Sequence, residues 1–172
     1  MEEGTSYKWG KKEIKEYICN NYKGEVEILD VGAGMGTYYE LLKDNYKKID
    51  GVEVFRPNVE RYRLERKYRK VYCIDIRNFK YVYYDLVIFG DILEHLEVKE
   101  AQEVLKYALE HSRSVIVAVP YCYVQGEVEG NVYEIHKQDD LTKENVKERY
   151  PELELLIGDE RYGYYVGRKE VK

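Results

Sequence analysis

One stretch constrains this chain more than any other: Val26-Glu27-Ile28-Leu29-Asp30-Val31-Gly32-Ala33-Gly34-Met35-Gly36-Thr37. It begins as a short apolar run containing β-branched residues, the pattern of a buried strand. It then breaks into glycines at alternate positions. Tyr38-Tyr39-Glu40-Leu41-Leu42-Lys43 follows and reads as the opening of a helix. A strand, a glycine turn and a helix start form a cradle for nucleotide-like ligands. Glycine lets the backbone turn and lets a ligand approach without meeting a Cβ. The helix start offers unpaired N–H groups and partial positive charge.

The spacing separates two kinds of cradle. A dinucleotide fingerprint runs G-x-G-x-x-G. Here the run is Asp30-x-Gly32-x-Gly34-x-Gly36, with Thr37 where that third glycine would fall. This resembles the first motif of class I S-adenosylmethionine (SAM) dependent methyltransferases. The resemblance implies that Gly32, Gly34 and Gly36 pass under the cofactor and that Asp30 helps hold its amino-acid end. Nicotinamide and flavin loops share the cradle, and a plain tight turn is the remaining reading.

Further acidic residues sit at strand exits. Ile49-Asp50-Gly51-Val52-Glu53-Val54 reads as a second strand, with Glu53 at its end, 21 residues after Gly32. A carboxylate there can accept hydrogen bonds from both ribose hydroxyls, in dehydrogenases as well. Val71 to Ile76 reads as a third strand. By the resemblance, Asp75 takes the adenine amino group and the Ile76 backbone meets the ring. Asp85-Leu86-Val87-Ile88-Phe89-Gly90 is a continuous apolar run, as in a central parallel strand. The following Asp91-Ile92-Leu93-Glu94-His95-Leu96 looks like the fourth motif of many small-molecule methyltransferases. That likeness places Gly90 and Asp91 at the methionine end of the cofactor and faces the turn toward the substrate, where His95 orients the loop, touches the cofactor or is structural. Glu94 and His95 point in different directions on a helical turn, and no third ligand is spaced to join them, so no metal is expected.

The remaining chain reads as a parallel sheet with covering helices. Residues 7–22 suit a leading helix, whose Tyr7 and Trp9 either cap the cofactor or pack on the sheet. Pro57 suits the first turn of a helix running to about Lys70. That helix carries Arg61, Arg63, Arg66, Lys67, Arg69 and Lys70, a solvated face or a phosphate-binding groove. A helix over 98–109 and a strand over 114–120 follow. Residues 121–140 are irregular and form an insertion over the strand carboxyl ends. The string Asn131-Val132-Tyr133-Glu134-Ile135-His136 resembles a loop of methyltransferases acting on sugars and other small molecules. His136 is accordingly the first candidate for a catalytic base, ahead of His95 and Asp91. Two strands over 153–158 and 162–167 are joined by too few residues for a parallel crossover, so they pair antiparallel.

The reading is one α/β domain over residues 1–172, and the resemblance implies a doubly wound, seven-stranded sheet of order 3-2-1-4-5-7-6 with the last strand antiparallel. It has a leading helix within 1–24 and a substrate-side insertion at 121–140. The expected function is SAM-dependent methyl transfer to an oxygen or nitrogen, leaning to a small molecule such as a sugar, with S-adenosylhomocysteine as product. A nicotinamide-dependent oxidoreductase and a SAM-binding protein without turnover are the alternatives. A formal charge of −5 argues against nucleic acid, though nucleic-acid and protein acceptors stay open. No apolar run approaches the roughly 18 residues of a membrane span. The acidic start has no apolar signal core. Cys19, Cys73 and Cys122 form no C-x-x-C, which fits a reducing cytosol.

Overall fold

The computed structural model describes residues 9–169. Among these, seven strands form one sheet in the order β3-β2-β1-β4-β5-β7-β6. They are β1 (Glu27–Val31), β2 (Lys48–Val52), β3 (Val71–Tyr72), β4 (Leu86–Gly90), β5 (Ser114–Pro120), β6 (Leu153–Gly158) and β7 (Tyr162–Arg168). The β1–β2, β1–β4, β2–β3 and β4–β5 pairs are parallel, and β7 runs antiparallel to both β5 and β6. The topology expected from the sequence is therefore the one observed.

The central strands are buried on both faces, which explains their unbroken apolar runs. Alternate residues serve opposite layers. Leu29, Val31, Val87, Phe89, Val115 and Val117 point into one core, with Ala101, Leu105 and Ala108 of α4 (Val98–Glu110). Ile28, Leu86, Ile88, Ile116 and Ala118 point into the other, with Ile14 and Ile18 of α1 (Lys11–Asn21) and Leu42 of α2 (Thr37–Leu42). Each fully buried aliphatic side chain of this kind contributes about 1.5–3 kcal/mol.

Two elements are shorter than the sequence pattern suggests. The basic helix, expected to run to Lys70, stops as α3 (Arg56–Arg61), followed by a single 3-10 turn at Leu64–Arg66. Arg63 sits at φ 51°, outside helical space. The break turns Leu64 and Tyr68 into the core, where both are buried. The basic side chains are engaged by neighbours. Arg69 forms a fork to buried Asp50, with two contacts of 2.8 Å, Arg61 pairs with Glu129 of the insertion, and Lys67 donates to the Met35 carbonyl at 2.9 Å. The third strand is likewise only two residues long, as suits the sheet edge.

The leading helix begins at Lys11. Trp9 stacks on Tyr164 with ring centroids 6.3 Å apart, so it packs with the sheet. Tyr7 lies outside the described residues. No helix among the described residues is long and apolar enough to cross a membrane. Helix α5 (Lys143–Arg149) is capped by Thr142, whose Oγ1 accepts from the Asn145 amide.

Candidate active site

A cavity of ≈ 420 Å³ opens at the carboxyl ends of the parallel strands, where a doubly wound sheet places its ligand. One side is built by strand exits: Gly32 and Gly34 after β1, Glu53 after β2, Asp75 and Ile76 after β3, and Gly90 and Asp91 at the end of β4. The insertion supplies the other side with Tyr123, Gln125, Tyr133, Glu134 and His136.

The glycine loop is held from below by a carboxylate. Glu53 is almost fully buried. Its Oε2 accepts from the Gly34 amide at 2.8 Å and its Oε1 from the Phe55 amide at 2.8 Å. Burial raises its pKa, and the amides of Phe55 and Gly34 oppose that rise. Each carboxylate oxygen keeps a further lone pair for a ligand hydroxyl. Gly32 sits at φ +69°, and a Cβ there would stand 1.9 Å from Ile92 Cδ1. A Cβ on Gly90 would stand 2.1 Å from the Tyr38 ring. A side chain at Gly90 would run into the buried Tyr38 ring, and one at Gly32 would have to displace the end of Ile92 from a backbone conformation that side chains rarely adopt.

Not every expected residue reaches the cavity wall. Asp30 is buried behind the loop, where Tyr68 donates to its Oδ2 at 2.5 Å. Burial pushes its pKa up to about 7, against the Tyr68 hydrogen bond and the Lys11 charge. Gly36 lies under the Lys67 side chain instead of at the cavity. Asp75 lines the cavity, but its carboxylate is occupied by the Arg77 amide and guanidinium at 2.6–3.0 Å. That pairing holds its pKa below the usual range.

At the other end, a 3-10 turn over Leu93–His95 meets the insertion. Asp91 occupies a left-handed conformation, φ +61°, and accepts a hydrogen bond from Tyr162. Glu94 is fully buried, and neither of its oxygens bonds to another residue. Burial raises its pKa well above normal, helped by the charge of Asp91. His95 is pushed down to about 4 by burial, then by His136, while nearby backbone carbonyls pull the other way. His136 is also lowered by burial. Its Nδ1 lies 2.6 Å from the Tyr123 carbonyl. A carbonyl only accepts, so Nδ1 carries the proton and Nε2 keeps a lone pair. The His95 and His136 rings meet edge-on at 4.7 Å. His111 takes no part; it packs on Tyr107 and bonds its carbonyl.

The sequence offered no third partner for Glu94 and His95, because spacing along the chain does not report where a loop returns. The fold brings His136 to them. Gln138, two residues past the string that ends at His136, achieves this. It is buried and donates to the carbonyls of Leu93 and Leu96 at 2.8 and 3.0 Å. Its Oε1 accepts from Tyr150 and Arg149. The amides of Lys137 and Gln138 add bonds to the Glu94 carbonyl. An uncharged amide with no hydrophobic neighbours in sequence gave no warning of this. Tyr38 was also missed. It is buried under Gly90, lines the cavity, and accepts from Lys11 Nζ at 2.9 Å.

A family model described as a methyltransferase domain matches residues 29–114, from the glycine strand to the start of β5. The chain belongs to the class I SAM-dependent methyltransferase family. It is an enzyme of that family, and its cofactor is SAM. The match sets aside the nicotinamide alternative. Solved structures agree in fold at low identity. A SAM-dependent methyltransferase from Clostridium acetobutylicum superposes with a TM-score of 0.72 at 13% identity, covering 97% of this chain and 93% of that one. An amino pentose methyltransferase from Micromonospora echinaspora, with SAM bound, gives 0.70 at 16% identity, covering 97% and 93%. Magnesium protoporphyrin IX methyltransferase from Synechocystis gives 0.67 at 12% identity, covering 93% and 78%. No curated protein sequence matches the chain.

Proposed function

We propose that this methyltransferase acts on an oxygen or nitrogen of a small polar molecule, a sugar being the leading class. The observation that carries the reading is the two-sided cavity. One side is the cofactor cradle; the other is a wall of hydroxyl, amide, carboxyl and imidazole groups on a single insertion. A cavity of ≈ 420 Å³ matches a cofactor and a small acceptor. Among the neighbours of like fold, one is named for an amino pentose and another for a porphyrin, and both are small molecules.

The residues present fit SAM. Gly32 and Gly34 leave room for its ribose and methionine portions. Glu53 has lone pairs for the ribose hydroxyls, and Ile76 offers an apolar edge beside Asp75 for the adenine. Gly90 and Asp91 face the methionine end. Asp30 and Gly36 serve from behind, one through Tyr68 and the other under Lys67. When bound, SAM supplies an already activated methyl group. The protein's work is then alignment and exclusion of water. The acceptor's proton leaves at the end where His136, His95 and Asp91 stand. Free cysteines at positions 19, 73 and 122 fit work in the cytosol.

The test is calorimetry with S-adenosylhomocysteine, followed by a panel of sugars, amino sugars and phenols with radiolabelled SAM. Micromolar binding and transfer to a member of the panel are expected. Transfer confined to protein or nucleic-acid acceptors would overturn the small-molecule reading. Binding without transfer to any acceptor would favour a cofactor-binding protein without turnover.

A further inference from the structure

We propose that Glu94, His95 and His136 form a site for one divalent cation of the zinc type, open on its remaining positions to the acceptor end of the cavity. One ligand atom from each of the three lies within 4.8 Å of the others. A tetrahedral cation with bonds of about 2.0–2.2 Å sets its ligand atoms roughly 3.3–3.6 Å apart, so the three side chains bind it after drawing in by up to about 1 Å.

Both Glu94 oxygens and the His95 Nδ1 are buried and unpartnered. A buried carboxyl with no partner is a costly arrangement that native proteins rarely keep without a purpose. The third donor is already oriented. The Tyr123 carbonyl holds the Nδ1 proton of His136, which leaves Nε2 as the ligand atom. Metal-binding histidines are usually fixed in this way, through the nitrogen that does not face the metal. Asp91 and Glu134 bring further negative charge to the same end of the cavity. One carboxylate and two imidazoles suit zinc, cobalt or iron(II) better than magnesium or calcium, which take oxygen ligands. Three protein ligands with an open position is the pattern of a reactive site, whereas structural zinc sites are closed by four.

The Gln138 bonds gain a reason as well. They clamp the insertion to the turn that carries Glu94 and His95, and so hold the three donors together. An acceptor hydroxyl held at the open position would release its proton to solvent more readily. That consequence rests on the methyl-transfer reading; the cation site itself does not.

The experiment is a titration of chelator-treated protein with cobalt(II), read by visible absorption, with zinc(II) calorimetry as a second measure. S-adenosylhomocysteine binding is measured on the same samples. One equivalent of cobalt is expected, with an absorption band of low-coordinate geometry. In Glu94→Gln and His136→Ala, cobalt affinity should fall by more than about 100-fold, beyond the range for outer partners of a metal ligand. Glu94→Gln keeps the shape of a protonated carboxyl, so its thermal midpoint is expected to hold. S-adenosylhomocysteine should still bind both variants. Protein that binds neither cobalt nor zinc stoichiometrically, or variants that bind them like the parent, would overturn the site. Cobalt binding without S-adenosylhomocysteine binding would instead overturn the cofactor reading and leave the site standing.

Discussion

Glutamine in place of Glu53 separates the two tasks of that carboxylate. In the protein as it stands, one oxygen accepts from the Gly34 amide and the other from the Phe55 amide, each at 2.8 Å. A glutamine has the same shape but one oxygen and one NH₂. Whichever way it turns, one backbone N–H faces a donor. One hydrogen bond to a charged acceptor is lost, at about 1.5–3 kcal/mol. For a domain of this size each kcal/mol lowers the thermal midpoint by about 2–4 °C, so a fall of roughly 3–12 °C is expected. A bound ribose also loses one of its two acceptor oxygens. S-adenosylhomocysteine should then bind roughly 10–100-fold more weakly. Calorimetry and thermal melts give the two numbers, with exposed Glu60→Gln as control. If Glu53→Gln binds within about 3-fold of the parent, a change under ~1 kcal/mol, and melts at the same temperature, the cradle is held some other way.

Three other outcomes follow from the same geometry. Gly32→Ala should abolish measurable S-adenosylhomocysteine binding and lower stability by about 1–3 kcal/mol, since its Cβ meets Ile92 at 1.9 Å and its φ is +69°; unchanged binding would show that the loop is not rigid. Asp30 gives a pH signature. Its pKa rises from 3.8 to about 7 on folding, so between those values the unfolded chain has lost the proton and the folded chain keeps it. Its contribution therefore falls as pH rises through that window, by at most about 4 kcal/mol. Urea denaturation from pH 4 to 8 should show Asp30→Asn gaining on the parent up to about pH 7 and then levelling; a constant difference would refute the assignment. Gln138→Ala strands the carbonyls of Leu93 and Leu96 and the Tyr150 hydroxyl, and should cost about 2–4 kcal/mol. Hydrogen exchange should then speed up in residues 91–96, and protection equal to the parent's would contradict the clamp.

The chain alone determined where the strands fall and the cofactor cradle, because both depend on local pattern; the order of the strands came through the family resemblance. Apolar runs bounded by glycine and acidic residues mark parallel strands wherever they fall. The short Asp159-Glu160-Arg161 link allows only an antiparallel last pair. Glu53 and Gly90 were legible for the same reason: they occupy strand ends, and strand ends face the ligand. Tertiary structure alone decided which carboxylates face the cavity and which stand behind it. Asp30 and Glu53 look alike in sequence, yet Asp30 lies within β1, where Tyr68 covers it, while Glu53 stands just past the end of β2 and reaches the Gly34 and Phe55 amides at the cavity. It also decided that Glu94, His95 and His136 meet. Their contact bridges 41 residues that include α4, β5 and part of the insertion, and it is held by the side-chain hydrogen bonds of Gln138. Hydrogen bonds between residues far apart in the chain leave no period in a sequence, and for that reason only the folded chain reveals them.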